Sequence, residues 1–222
     1  MTQNISFHIQ LHSLIRAIVA PLNCTVDAIN KSLLSELNGG VRLYRSIDEA
    51  RDDEGTLNYP VDTLNEINAG GLPPHLLELK VGCPVVCLRN LNPPDIVNGT
   101  RLIVRNMRPN LIEAEILTGA ASGQIVFIPR IPLIHNVKNE IPFKRTQFPL
   151  RVSFALSVNK SQGQTYKRIG LHLERPCFAH GQFYVGVSRV GCSDGLFISA
   201  AKSKQGEPNV TRNLVTKTVL QQ

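Results

Sequence analysis

Apolar and polar positions change rhythm three times along the chain. From Leu14 the run LIRAIVAP reads as a buried strand stopped at Pro21. Val26, Ile29, Leu33 and Leu37 then recur at helical spacing, with Asn23 or Thr25 placed to cap the helix and Gly39-Gly40 to end it. Residues 44–71 are acidic, then punctuated by Gly and Pro, and predict a surface connection with one short helix around Val61 to Ile67. From Leu76 the texture turns to four β-rich runs, at 79–90, 100–107, 112–119 and 124–131. Turn chemistry at Asn92-Pro93-Pro94, Asn98-Gly99, Pro109-Asn110 and Gly119 to Gly123 separates them. Short strands at regular spacing with no helix between them predict a small antiparallel barrel. After the basic linker KRTQFPLR an α/β rhythm returns. Val152, Phe154, Leu156 and Val158 alternate as one strand, RIGLHL (168–173) and GLFISA (195–200) supply two more, and His180 to Arg189 fits a helix. In that helix Phe183, Tyr184 and Val187 fall at i,i+3 and i,i+4 spacing.

The fold class that follows is α/β, a parallel-sheet domain interrupted by a small antiparallel β-barrel. Its parts run 14–75 for the first segment of the parallel domain, 76–143 for the insertion and 144–200 for the second segment. Residues 1–13, where FHIQLH alternates weakly, and the polar tail 201–222 are left without assignment.

Composition narrows the function classes. No apolar run approaches the ~20 residues that span a bilayer, and the N-terminus lacks a basic start followed by an apolar core, so a soluble intracellular protein with no membrane partner is expected. Five scattered cysteines (Cys24, Cys83, Cys87, Cys177, Cys192) argue against a disulfide framework. Cys83 and Cys87 are the one close pair, and no second CxxC or HxxxH completes a metal site, so buried apolar thiols are expected and no metal. The net charge of +7 is uneven: residues 144–189 hold eight basic side chains against the single acid Glu174. That footprint suits nucleic acid or nucleotide phosphates, and also a solvated basic face.

Candidate chemistry concentrates at Phe154 to Thr165, FALSVNKSQGQT, where an apolar run ends in a polar one. Placed at the C-terminal edge of a parallel sheet, this is where α/β folds take ligands. Gly163 would let the backbone approach a phosphate, with Lys160 and nearby amides to meet negative charge. The same residues also read as a strand followed by a helix that Ser161 caps. A second polar motif, YVGVSRV, follows on the next unit of the sheet.

Together KSQGQT and YVGVSRV resemble motifs V and VI of superfamily 1 helicases, specifically the Pif1-like group that includes the helicases of Helitron transposons. APLNCTVDAIN (20–30) resembles the segment that opens the family's second RecA-like domain, 2A. GLPPHLLELKVGCPVVCLRNL…NGTRLIV (71–104) resembles the start of the family's inserted 2B domain, an SH3-like barrel. The resemblance runs from about Leu14 to near the C-terminus. It implies an ATP-dependent 5′-to-3′ DNA helicase acting with Mg²⁺ on single-stranded or fork DNA. It also implies nuclear residence and the family's work in DNA repair, recombination and telomere maintenance, with mitochondrial or viral settings as alternatives. Arg189 takes the place of the motif VI arginine finger, whose planar fork of donors reaches the γ-phosphate as the terminal bond breaks. Gly163, Gln164 and Thr165 align with nucleotide-approaching positions, and Asn159, Lys160, Ser161 and Gln162 with those at the single-strand backbone. Where many relatives carry histidine, this chain has Asn159.

A helicase motor also needs a P-loop, G-x-x-x-x-G-K-[ST], and a carboxylate for Mg²⁺. No Gly-Lys dipeptide occurs in the sequence, and Asp52-Asp53-Glu54 follows no apolar strand. The chain therefore reads as the C-terminal half of a motor, without ATPase activity of its own and binding no nucleotide tightly alone. The alternatives are a non-enzymatic DNA-binding remnant of a mobile element or viral gene, or a split-motor subunit completed in trans.

Overall fold

The structure is a computed structural model that describes residues 16–50, 59–138 and 140–201. FHIQLH, Asp52-Asp53-Glu54 and the tail beyond residue 201 lie outside the described residues. Compactness divides the chain into two units. One is formed by residues up to Pro21 together with those from Ser157 onward, the other by Leu22–Leu156.

Strand β1 (Arg16–Ala20) ends at Pro21, where the sequence stops it. Helix α1 (Asn23–Glu36) begins one residue before the expected caps: Leu22 is its N-cap, without a side-chain bond, so Asn23 and Thr25 lie inside the helix. Its buried positions are Val26, Asn30 and Leu34, while Ile29, Leu33 and Leu37 are half-buried. The face is turned because Asn30 is internal: its Nδ2 donates to the Ala155 carbonyl (3.1 Å) and its Oδ1 accepts from the Ala155 amide (2.8 Å). A search for apolar positions alone passes over it. At the helix end the buried Lys80 Nζ donates to the carbonyls of Ser35 (3.1 Å) and Leu37 (2.5 Å), satisfying groups that the last turn leaves open.

The region expected as a surface connection is more ordered than its composition implies. It contains β2 (Arg42–Arg45), β3 (Ile47–Ala50) and α2 (Val61–Glu66). The run 79–90 holds only the last residue of β4 (Leu76–Leu79) together with β5 (Pro84–Cys87), with Gly82 turning the chain between the two strands at φ 85°. Then come β6 (Arg101–Met107), β7 (Leu111–Ile116), β8 (Ile125–Pro129), β9 (Ile131–His135), β10 (Phe143–Gln147) and β11 (Leu150–Val152). Five of these strands form an antiparallel sheet in the order β11-β5-β6-β7-β8. Along β7 the residues Ile112, Ala114 and Ile116 point inward in strict alternation, and with Val85, Leu102 and Ile128 they form the core.

The stretch KRTQFPLR, read as a linker, is instead β10 and the start of β11. β10 sits between β3 and β9 in a second sheet. The reason is Arg145, whose side chain and that of its partner Asp48 on β3 are both fully buried. Nε reaches both carboxylate oxygens (3.0 and 3.1 Å) and Nη2 reaches Oδ2 (2.6 Å). The remaining donors meet the carbonyls of Leu64 (2.9 Å), Ile67 and Pro73 (both 3.1 Å). Ser46 Oγ donates to Asp48 Oδ1 at 2.7 Å. A fully desolvated ion pair persists only when its donors and acceptors are satisfied in this way.

The other unit is a parallel sheet. Residues 149–158 do not make one strand. β11 pairs with β5, the Ser153 amide donates to the Pro84 carbonyl (2.9 Å), and the chain then leaves that sheet for β12 (Ala155–Ser157). The apolar alternation runs unbroken across the switch, so periodicity cannot reveal it. After β12 come α3 (Val158–Ser161), β13 (Arg168–Leu173), α4 (Gln182–Val187) and β14 (Leu196–Ala200), and the sheet order is β12-β1-β13-β14. β13 is parallel to both neighbours, pairing Ile169 with Ala17 on one side and Leu196 on the other.

α4 is shorter than the expected helix, because Gly181 at φ 70° starts it. Its buried residues are Gln182 and Gly186, whereas Phe183 and Val187 are half-buried and Tyr184 is 70% exposed. The helix lies so close to β13 that a Cβ on Gly186 would come within 2.9 Å of Leu171 Cδ1. Proximity, rather than a stripe of large side chains, defines the inner face.

Candidate nucleotide and nucleic-acid site

The two motifs meet in the parallel unit. α3 leaves the end of β12, and its N-cap is Ser157, not Ser161. Asn159 and Lys160 are exposed on this short turn, and Gln162 is exposed after it. Ser161 differs from the expectation of a DNA-facing position: it is fully buried, and its hydroxyl donates to the Val158 carbonyl (2.7 Å). Gly163 is exposed at φ 79°, a conformation that glycine adopts without strain, and nothing crowds the position of its absent Cβ. Thr165 is exposed beside it.

Arg189 is half-buried, and its guanidinium folds back on the motif V loop. Nη1 donates to the carbonyls of Gln164 (3.2 Å) and Ser161 (3.5 Å), Nε to the Val185 carbonyl (2.8 Å) and Nη2 to Ser188 Oγ (2.8 Å). The backbones join as well: the Tyr166 amide donates to the Arg189 carbonyl (2.8 Å), and Tyr166 bridges Val190 in parallel. Gln164 braces the loop, its Nε2 donating to the Lys160 carbonyl (3.4 Å) and its Oε1 accepting from the Tyr166 hydroxyl. Arg189 thus comes together with Ser161 and Gln164, while Asn159, Lys160 and Gln162 present outward. Two buried residues beside the motifs carry no sequence signal. Tyr166 is buried just past the motif, and Gln182 is buried at the start of α4, its Oε1 accepting from the Phe178 amide (3.1 Å) and its Nε2 donating to the Pro21 carbonyl (3.5 Å).

The basic footprint is smaller than its formal charge. Arg145 is spent on Asp48, Lys144 pairs with Glu49 (2.5 Å), and Arg151 donates to the Leu72 carbonyl (3.0 Å). Lys160, Lys167, Arg168 and Arg175 remain exposed. Among the described residues no group of three or more His, Cys, Asp or Glu side chains could hold a metal ion. Burial pushes the Cys83 thiol up to about 11 and raises those of Cys87 and Cys177.

Comparison with known proteins decides the relationship. Residues 62–107 match the family model described as DNA helicase Pif1, 2B domain. The ATP-dependent DNA helicase PIF1 of Danio rerio is 32% identical over 187 residues, and that of Homo sapiens 32% over 191. Each alignment covers 81% of this chain. This chain is Pif1-like. It corresponds to a C-terminal portion of such a helicase, and it spans 27% of the length of the zebrafish and human proteins. The crystal structure of the Pif1 helicase from Candida albicans superposes with a TM-score of 0.65 at 24% identity, covering 88% of this chain and 48% of that one. A Bacteroides Pif1 in complex with ADP-AlF3 and single-stranded DNA gives 0.62 at 25% identity, covering 88% and 42%. The Pif1-like fold, a RecA-like parallel sheet interrupted by an antiparallel 2B barrel, accounts for both the parallel and the antiparallel sheets described above.

Proposed function

We propose that the chain supplies the 2A and 2B portion of an ATP-dependent 5′-to-3′ DNA helicase, with 2B covering 76–143 and, from the family match, reaching back to residue 62. In this reading Arg189 is the arginine finger, Gly163, Gln164 and Thr165 border the nucleotide, and Asn159, Lys160 and Gln162 hold the single-strand backbone. The observation that carries it is the docking of Arg189 onto the Ser161 and Gln164 carbonyls, which puts the motif VI cation on the motif V loop. ATP and Mg²⁺ belong to the complete enzyme, and a P-loop domain in cis or in trans would bring them. Here the guanidinium rests on neutral carbonyl acceptors. A terminal phosphate offers charge-assisted bonds about twice as strong, enough to draw Nη1 away from the loop. The loop that loses this donor is the one that bears Asn159 and Lys160, so the nucleotide state and the grip on DNA share one set of hydrogen bonds. Nuclear residence is part of the same proposal.

The test combines the chain with a P-loop domain, as a fusion or in trans. DNA-stimulated ATP hydrolysis is expected, falling by roughly 10³-fold or more in Arg189→Ala. Hydrolysis by the 222-residue chain alone, lost on the same substitution, would overturn the proposal.

A further inference from the structure

The motif V turn is closed from within by a residue that the nucleotide and strand assignments leave without a role. Tyr166 directly follows the motif, and it is buried, only 2% exposed. A phenol carried into the interior needs a polar partner, and this one donates its hydroxyl to Gln164 Oε1. The other end of the same carboxamide donates from Nε2 to the Lys160 carbonyl at 3.4 Å. These partners fix which way the amide points. A backbone carbonyl accepts and never donates, so the end that meets Lys160 is the nitrogen, and the oxygen faces the phenol. Backbone bonds tighten the same turn, with the Gln164 amide donating to the Ser161 carbonyl (3.1 Å) and the Tyr166 amide to the Arg189 carbonyl (2.8 Å). Tyr166 is thus anchored through both its main chain and its side chain, whereas Gln162, Gly163 and Thr165 are exposed.

The hydroxyl is therefore the inner end of a path that runs from phenol to carboxamide to the peptide group of Lys160. We propose that Tyr166 is a positioning residue for the single-strand grip: its hydroxyl sets the Gln164 side chain, and Gln164 holds residue 160 where the lysine cation meets a backbone phosphate. The inference rests on the reading of Lys160 as a backbone contact. It divides Gln164 between the two ligands of the site. The Gln164 carbonyl receives Arg189, while its carboxamide serves Lys160. Tyr166 acts through Gln164, from inside the protein, and not by touching the strand.

Tyr166→Phe removes the hydroxyl and keeps the ring. Binding of the 222-residue chain to labelled oligo-dT, followed by anisotropy at low salt, is expected to weaken about 2- to 10-fold in this variant. Gln164→Met keeps the length of the side chain, removes both of these side-chain bonds, and is expected to weaken binding at least as much. The double variant separates positioning from packing. With Gln164→Met in place, Tyr166→Phe is expected to add nothing, because the hydroxyl has lost the group it acts through. If Tyr166→Phe instead lowers affinity again by its full factor, the proposal is overturned. Lys160→Ala tests the reading beneath it and should reduce the salt dependence of binding. If it does so while Tyr166→Phe binds like wild type, the positioning role is overturned and the backbone grip stands. If Lys160→Ala changes neither affinity nor salt dependence, the grip falls and the positioning role with it. No binding of oligo-dT at low salt overturns both. Should Tyr166→Phe fail to fold, Gln164→Met paired with Lys160→Ala decides. A Gln164→Met loss that shrinks once residue 160 is alanine supports the proposal, and wild-type affinity, or a loss that persists in full, overturns it.

Discussion

Arg145 shows how far formal charge can mislead at the scale of one residue. In the sequence it belongs to a basic run and adds to a nucleic-acid footprint. In the fold all its donors are spent inside the protein, on Asp48 and on the carbonyls of Leu64, Ile67 and Pro73. Nothing in KRTQFPLR distinguishes it from Lys144, because its partner lies far back in the chain, within a stretch whose acidity reads as solvent exposure. Removing only the carboxylate leaves an uncompensated buried cation. Asp48→Ala is therefore expected to destabilise by about 3–5 kcal/mol, measured by urea unfolding. Asp48→Leu combined with Arg145→Met should recover part of that loss, since neither charge is then left alone. The double variant proving no more stable than the single one would show that the pair is not what holds β3 to β10. Arg189 poses the opposite case, a half-buried cation on neutral acceptors, and neutral acceptors yield to a phosphate more readily than a carboxylate does.

Among the elements, those with a strong period were legible and those set by long-range contacts were not. β1, β13 and the runs that became β6, β7 and β8 carry their apolar pattern openly. The α4 face did not show, because Gly186 and Gln182 carry no apolar signal; they are inside because the helix nearly touches β13. The break between β11 and β12 was equally hidden behind an alternation that both sheets share. Within the candidate site, the two motif stretches stand out in the sequence, whereas the bonds that join them through Tyr166 and Gln164 do not. The close approach at Gly186 gives a direct test. Gly186→Val is expected to cost about 1–3 kcal/mol by overpacking against Leu171, and Gly186→Ala less, since the end of the Leu171 side chain can turn aside. Unfolding curves that overlay wild type for both would mean that the helix has room to spare.

For the whole molecule, burial sorts the thiols. Cys24 and Cys192 are exposed, whereas Cys83, Cys87 and Cys177 are buried with raised values. A thiol-specific reagent at pH 8 is expected to label Cys24 and Cys192 in the native protein and the other three only in denaturant. Rapid native labelling of Cys83 would contradict the packing of β5. The pH dependence has a definite sign: Cys83 holds its proton more tightly folded, at about 11, than at its ordinary 9.0. Its contribution to stability is complete below about pH 9 and is lost as pH rises through about 11. The parallel sheet has a different consequence, concerning time. β1 is made before the Leu22–Leu156 unit, and its partner β13 only after that entire unit has been translated. On the ribosome the antiparallel unit can close on its own contacts while β1 waits as an unpaired apolar strand. The parallel sheet thus closes only after the antiparallel unit that interrupts it has been made.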